Sequence, residues 1–385
     1  MSDALGAVAL SLDRLRCAAL ALTLRWPLGR YLFRRRIPRH ACIFALAFTT
    51  SLLGASVVPW LLLAAGPIIY GLPHLASSLR YGGRLQFFPG SERSSGAPFA
   101  AKIGLVFVTV MTLRVSMAVW AHFDLNLYDR MPKFVEEVLR DNRLELGGAL
   151  LCLIVAVRGI LEWRQARYLL AFVALAVLGG CSLRYPEVVM AVLAIGHNFV
   201  AFAFWWLAAR GDEGARRLVY GCFVAFTMAH VAIFSGYFDH VPQFLFNARH
   251  QSLAGLAVSD LGSTLIPWSF KPQLWQRAVR AYAFGQSLHY VLWLRLIPEQ
   301  HLPGQVPISF RSSLKLLGRD FGVKSAQAII VLCVLGVTAW LGALSLSKFA
   351  LARDVYFAAA SFHGYFEIAG LLMLCTHAGL KRELF

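Results

Sequence analysis

The chain carries about ten separate apolar runs, each roughly 20 residues long, the length a helix needs to cross the hydrocarbon of a bilayer. Backbone polar groups that leave water must be satisfied within the protein, so such runs become helices or the strands of a closed barrel. Continuous apolarity, without strict alternation, selects the helix. The runs are estimated at residues 42–57, 59–79, 103–121, 146–161, 168–183, from 186 onward, 218–238, 278–297, 326–346 and 355–375. Of 385 residues, 58% are hydrophobic and only 15% charged. A soluble chain carries about a quarter charged residues. These features predict an all-α fold, a polytopic integral membrane helical bundle of about ten transmembrane helices. A basic amphipathic segment over 1–40 precedes a single polytopic membrane domain over 41–385.

Charge then sets orientation. The formal net charge is +17. Lys and Arg gather around 80–102, 158–167, 210–217 and 311–324, the loops that an inside start places in the cytoplasm. The loop 122–145 instead carries six acidic against four basic residues and is expected outside. The pattern predicts an inner (cell) membrane protein of bacterial type with both termini cytoplasmic. It accounts for the basic balance without nucleic acid. Arg30, Arg34, Arg35, Arg36 and Arg39 make a basic cluster suited to anionic membrane lipids. Seven scattered cysteines without a CxxC pair imply no disulfide framework.

Ionisable groups inside such runs are costly and read first as functional. The second, sixth, eighth and tenth runs point the same way across the membrane, and each holds one histidine: His74, His197, His289 and His363. His230, on the seventh run, points the other way and also falls near the middle or the outer half. A single membrane histidine is often a hydrogen-bond partner between helices. Five at comparable depth predict a metal site, because neutral imidazole is the commonest metal ligand and suits iron, copper or zinc. Glu367 lies four residues after His363, hence on the same helix face. It is placed to orient a ligand ring or to bind the metal itself. Glu367, Tyr290 and Tyr365 are the candidate catalytic groups. Asn198 and Gln286 are candidates to orient ligands or to bond helices together. The chain lacks the P-loop, HExxH and GxSxG patterns, and the paired-histidine boxes of membrane desaturases.

Gly71-Leu72-Pro73-His74 resembles the Gly-x-Pro-His that opens the early helix motif of the Brp/Blh-type β-carotene 15,15′-dioxygenases, and the isolated histidines on later helices are similar in style. Leu75 and Ser78 depart from that motif, which continues with Gly and then an acid. The resemblance implies a nonhaem iron held by membrane histidines that, with O₂, cleaves the central double bond of a carotenoid. The expected function is therefore a membrane-embedded, histidine-ligated Fe(2+) oxygenase acting on a lipid-soluble, carotenoid- or isoprenoid-like substrate. Two alternatives stay open. One is an electron-transfer protein binding haem b through paired histidines. The other is a proton-coupled transporter in which the histidines relay protons and Arg114 meets an anionic substrate.

Overall fold

The computed structural model describes residues 2–71, 73–78, 184–241 and 272–300 as continuous stretches, with shorter or isolated positions elsewhere, among them Tyr356, His363, Gly364 and Glu367. Every regular element among the described residues is helical, so the fold is all-α over this part. The runs at 103–121, 146–161 and 168–183, the loop 122–145, the segment 242–271 and most of 326–346 lie, scattered positions apart, outside the described residues. So do Arg114 and Tyr365.

The N-terminal segment forms α1 (Ser2–Thr23) and α2 (Pro27–Arg34). They are followed by α3 (Arg36–Val57), α4 (Pro59–Gly66), α5 (Pro186–Ala208), α6 (Glu213–Phe234), α7 (Pro272–Val291) and the short α8 (Ile297–Gln300). Local chemistry sets several of these starts. Helices α2, α4, α5 and α7 begin on a proline, whose missing N–H is harmless in a first turn and whose φ already suits a helix. Helix α6 is capped by Asp212, whose Oδ1 accepts the Ala215 N–H at 3.0 Å.

Among the described residues two helices, α3 and α6, are long and apolar enough to cross a membrane. At 22 residues each they reach about 33 Å. Their outward faces match. Helix α6 buries Ala215, Val219, Cys222, Phe226, Ala229 and Ile233 on one stripe. It exposes Tyr220, Phe223, Val224, Met228 and Val231 on the other. Helix α3 likewise exposes Leu46 and Leu53. An apolar face this extensive turned outward is unusual for a protein surrounded by water.

Helix α7 is the central element, packed against α3, α4, α5 and α6. Its residues from Ala278 to Gln286 are all buried. The surrounding core holds Phe202, Phe204, Trp205, Phe226, Phe284 and Trp293. Gly285 allows a close approach: a Cβ there would stand 3.0 Å from Asn198 Nδ2 and 3.3 Å from His230 Nε2. Two ionic clusters fix the ends of the assembly. Glu299 of α8 accepts from Arg39 Nε at 2.6 Å and also faces Arg295 at 3.2 Å. The same Arg39 donates to the Leu32 and Phe33 carbonyls and so ties down α2. Past the end of α6, Asp239 receives Arg277 and the buried Arg280 of α7.

Pro73, beside His74, goes with a specific distortion of its helix. Residues Pro67–Gly71 wind as a π-helical turn and residues 73–78 are again helical. The ring of a helical proline collides with the carbonyl four residues earlier. For Pro73 that residue is Ile69, inside the widened turn. A second π-helical turn, Leu292–Leu296, stands in the same relation to Pro298, whose collision partner is Leu294. Both turns border the histidine cluster.

Candidate metal centre

His74, His289, His363 and Glu367 each bring one ligand atom to a common point, these atoms all lying within 4.8 Å of one another. All four residues are buried. His74 stands just after the first π-turn, His289 near the end of α7, and His363 and Glu367 four residues apart on one helical face. The His74 and His363 Nε2 atoms are 2.9 Å apart. Glu367 Oε1 is 3.6 Å from His289 Nε2, close but beyond a hydrogen bond.

His197 of α5 borders the group without belonging to the converging ligand atoms. Its ring centre is 4.9 Å from that of His289 and 5.4 Å from that of His363. The His74 ring lies 4.5 Å from His363 and 5.1 Å from His289, and the His289 and His363 rings are 6.0 Å apart. With bonds of about 2.1 Å to one ion, rings at right angles have centres ~4.6 Å apart and opposed rings ~6.5 Å. The imidazoles of His74, His289 and His363 could therefore hold a single metal ion together with the Glu367 carboxylate.

Backbone carbonyls set the tautomers. His74 Nδ1 lies 2.7 Å from the Gly71 carbonyl, and His197 Nδ1 lies 3.1 Å from the Leu193 carbonyl. A carbonyl only accepts, so in each ring Nδ1 carries the proton and Nε2 presents a bare lone pair. The π-turns help supply these partners. Gly71, at the end of the first, holds His74. The Trp293 carbonyl, within the second, accepts the Ser77 hydroxyl and so ties the His74 segment to the helix carrying His289. Sequence reasoning did not single out Ser77 or Tyr356. The prolines one turn after each widened segment are the signal from which the exposed carbonyls could have been inferred.

His289 and Glu367 are the least satisfied groups of the site. Among the described residues, neither ring nitrogen of His289 and neither carboxylate oxygen of Glu367 completes a well-formed hydrogen bond, with the Trp293 indole N–H beside the carboxylate. Buried polar groups in native proteins are nearly always paired, and one unpaired carboxylate costs several kcal/mol. A cation between them satisfies both.

His230 is placed apart from this convergence. Its Nδ1 bonds the Phe226 carbonyl of its own helix at 3.0 Å, and its ring packs on Phe199, Phe226 and Phe284. It faces Gly285 and Asn198 at the crossing of α5, α6 and α7, in the manner of polar groups that join helices. Tyr290 borders the cluster, its ring centre 4.9 Å from that of His74. Asn198 donates to the Ala194 and Ile195 carbonyls, and Gln286 donates to the Tyr290 hydroxyl. Comparison of the chain with models of known families, with characterised proteins and with solved structures finds no match.

Proposed function

We propose that the chain is an integral membrane enzyme of about ten spans, with both termini cytoplasmic in a bacterial inner membrane, whose histidine centre binds iron and uses O₂ to oxidise a lipid-soluble substrate. The observation that carries the reading is the buried, unsatisfied state of His289 and Glu367 beside His74 and His363. The outward apolar faces of α3 and α6 support the membrane setting, and the basic N-terminal helices suit anionic lipid at its surface.

Iron is favoured by the donor set. Histidine nitrogens with one carboxylate and an open position are the donor set of nonhaem iron oxygenases. The ring packing argues against haem. A macrocycle needs a clear plane between its axial histidines, and the His74 ring stands within 5.1 Å of both His289 and His363.

The resemblance of Gly71-Leu72-Pro73-His74 to the carotenoid-cleaving family supplies the substrate class. His74, His289 and His363 with Glu367 would hold the iron, which would supply the activation of O₂ for adding both its oxygen atoms across a C=C bond to give two carbonyls. Within this reading Glu367 balances the positive charge of the centre, and the Tyr290 and Trp293 rings beside His74 and His289 help keep water out.

The test is metal analysis and an absorption spectrum on detergent-purified protein, prepared anaerobically, beside His363→Ala. Stoichiometric iron in the wild type that the variant loses, followed by conversion of β-carotene to retinal under O₂, is the expected result. A metal-free wild type that takes up no added iron overturns the reading, and a Soret band replaces it with haem.

A further inference from the structure

Helix α7 and the π-turn after it carry two stripes: Gly285, His289 and Trp293 recur every four residues on one, and Tyr282, Gln286 and Tyr290 on the next. The second stripe ends in a hydrogen-bonded group that the ligand set does not use. The Gln286 amide donates to Tyr290 Oη at 2.7 Å, and Tyr290 Oη lies 3.2 Å from Tyr356 Oη. All three residues are buried, Tyr290 to 3% of its surface. Tyr356 packs directly on Gly71, where a Cβ would overlap its ring, so both phenols line the π-turn whose last carbonyl holds His74.

The contact between the two phenols can run either way. Tyr290 Oη already accepts one proton from Gln286. In the arrangement where Tyr356 donates, Tyr290 keeps its own proton for a third partner. The Tyr290 ring sits against His74, whereas Glu367 lies 3.6 Å from His289.

We propose that Tyr290 is the hydrogen-bond donor to the non-protein ligand of the metal centre, an anionic or oxygen ligand at its open position, with Gln286 and Tyr356 as positioning residues. This rests on the metal reading above. The geometry serves an O₂-using enzyme, because a donor aimed at the ligand's outer atom stabilises negative charge that develops there.

The test loads the full-length protein with cobalt(II) and titrates azide, following the visible cobalt absorption. Tyr290→Phe is expected to bind cobalt as the wild type does and azide about tenfold more weakly, the loss of one hydrogen bond to a charged acceptor. Gln286→Leu and Tyr356→Phe are expected to lose about threefold each with intact cobalt binding. Unchanged azide affinity in a cobalt-replete Tyr290→Phe overturns the proposal and leaves the metal reading standing. Should Tyr290→Phe fail to fold, Gln286→Leu decides in the same way. A wild type that binds neither cobalt nor iron removes both.

Discussion

Replacing Glu367 by Gln separates a ligand from a structural carboxylate, because the two roles predict opposite signs in the metal-free protein. In the absence of metal, the Glu367 oxygens are buried without a well-formed hydrogen bond, 3.6 Å from a histidine that has none either. An ionised carboxylate there costs several kcal/mol, so a neutral amide of the same shape leaves the metal-free protein as stable or more so. With metal the sign reverses. Losing the charge and one donor is expected to weaken metal binding by 10- to 100-fold, on the scale of removing a closely coupled partner of a metal site. At saturating metal that removes about 1.4–2.7 kcal/mol of ligand-induced stability. The assay is thermal unfolding in detergent, followed by circular dichroism, of wild type and Glu367→Gln with and without iron(II) or cobalt(II). The expected pattern is an unchanged or raised midpoint without metal and a smaller metal-induced rise in the variant. Equal destabilisation with and without metal would refute the reasoning, since it would make Glu367 a partner within the fold.

The remaining expectations are local. Gly285→Ala places a methyl 3.0 Å from Asn198 Nδ2 and 3.3 Å from His230 Nε2, an overpacking that costs about 1–3 kcal/mol and lowers the thermal midpoint. His230→Leu, in a pocket of phenylalanines, is expected to retain the full metal content that His363→Ala loses, as read by metal analysis on both variants. Asp239 carries part of the pH dependence of the described residues outside the apolar runs, beside Glu299. The hydrogen bond from Arg277 lowers its carboxyl from the ordinary value, burial opposes this, and the hydrogen bond from Arg280 lowers it further. A depressed folded-state value gives stability that is present above the unfolded carboxylate range and lost as pH falls through the folded one. Wild type should therefore lose stability in acid, and Asp239→Asn, about 2 kcal/mol less stable at neutral pH, should lose less of what remains. Midpoints measured from neutral pH into acid check both.

Much of the site was legible because its signal is local or depends on depth alone. His363 and Glu367 share a helix face by spacing. His74, His197 and His289 could be grouped because each sits at similar depth in a run of one direction. Depth says nothing about which way a ring points, and for that reason His230 could not be told apart from the others. Its stripe on α6 also carries Phe226 and turns it toward Phe199 and Phe284. The Arg39–Glu299 cluster was illegible for another reason: the partners are 260 residues apart and neither position carries a motif. The helix starts at Pro59 and Pro186 were readable as local chemistry, whereas α6 starts at Glu213, five residues before the run estimated from 218. Where the N-terminal segment breaks was not readable, although Pro27 marks the start of α2.

The prolines connect these two kinds of information. Pro73 and Pro298 are far from each other in sequence, yet each follows a widened turn that borders the site. One turn ends in the Gly71 carbonyl that fixes the His74 tautomer. The other presents the Trp293 carbonyl that takes the Ser77 hydroxyl. A carbonyl of a regular helix can also serve a side chain, as Leu193 does for His197. The second turn goes further, because the residue five positions after Trp293 is Pro298, which has no N–H to donate. The distortion there leaves a backbone acceptor for Ser77, which anchors the His74 segment to the helix bearing His289. The first turn, ending at Gly71, leaves room for Tyr356 and so for the Tyr290 hydroxyl beside His74. Ligand orientation and the proposed donor thus depend on one local feature, written into the sequence as a glycine and a proline two residues apart.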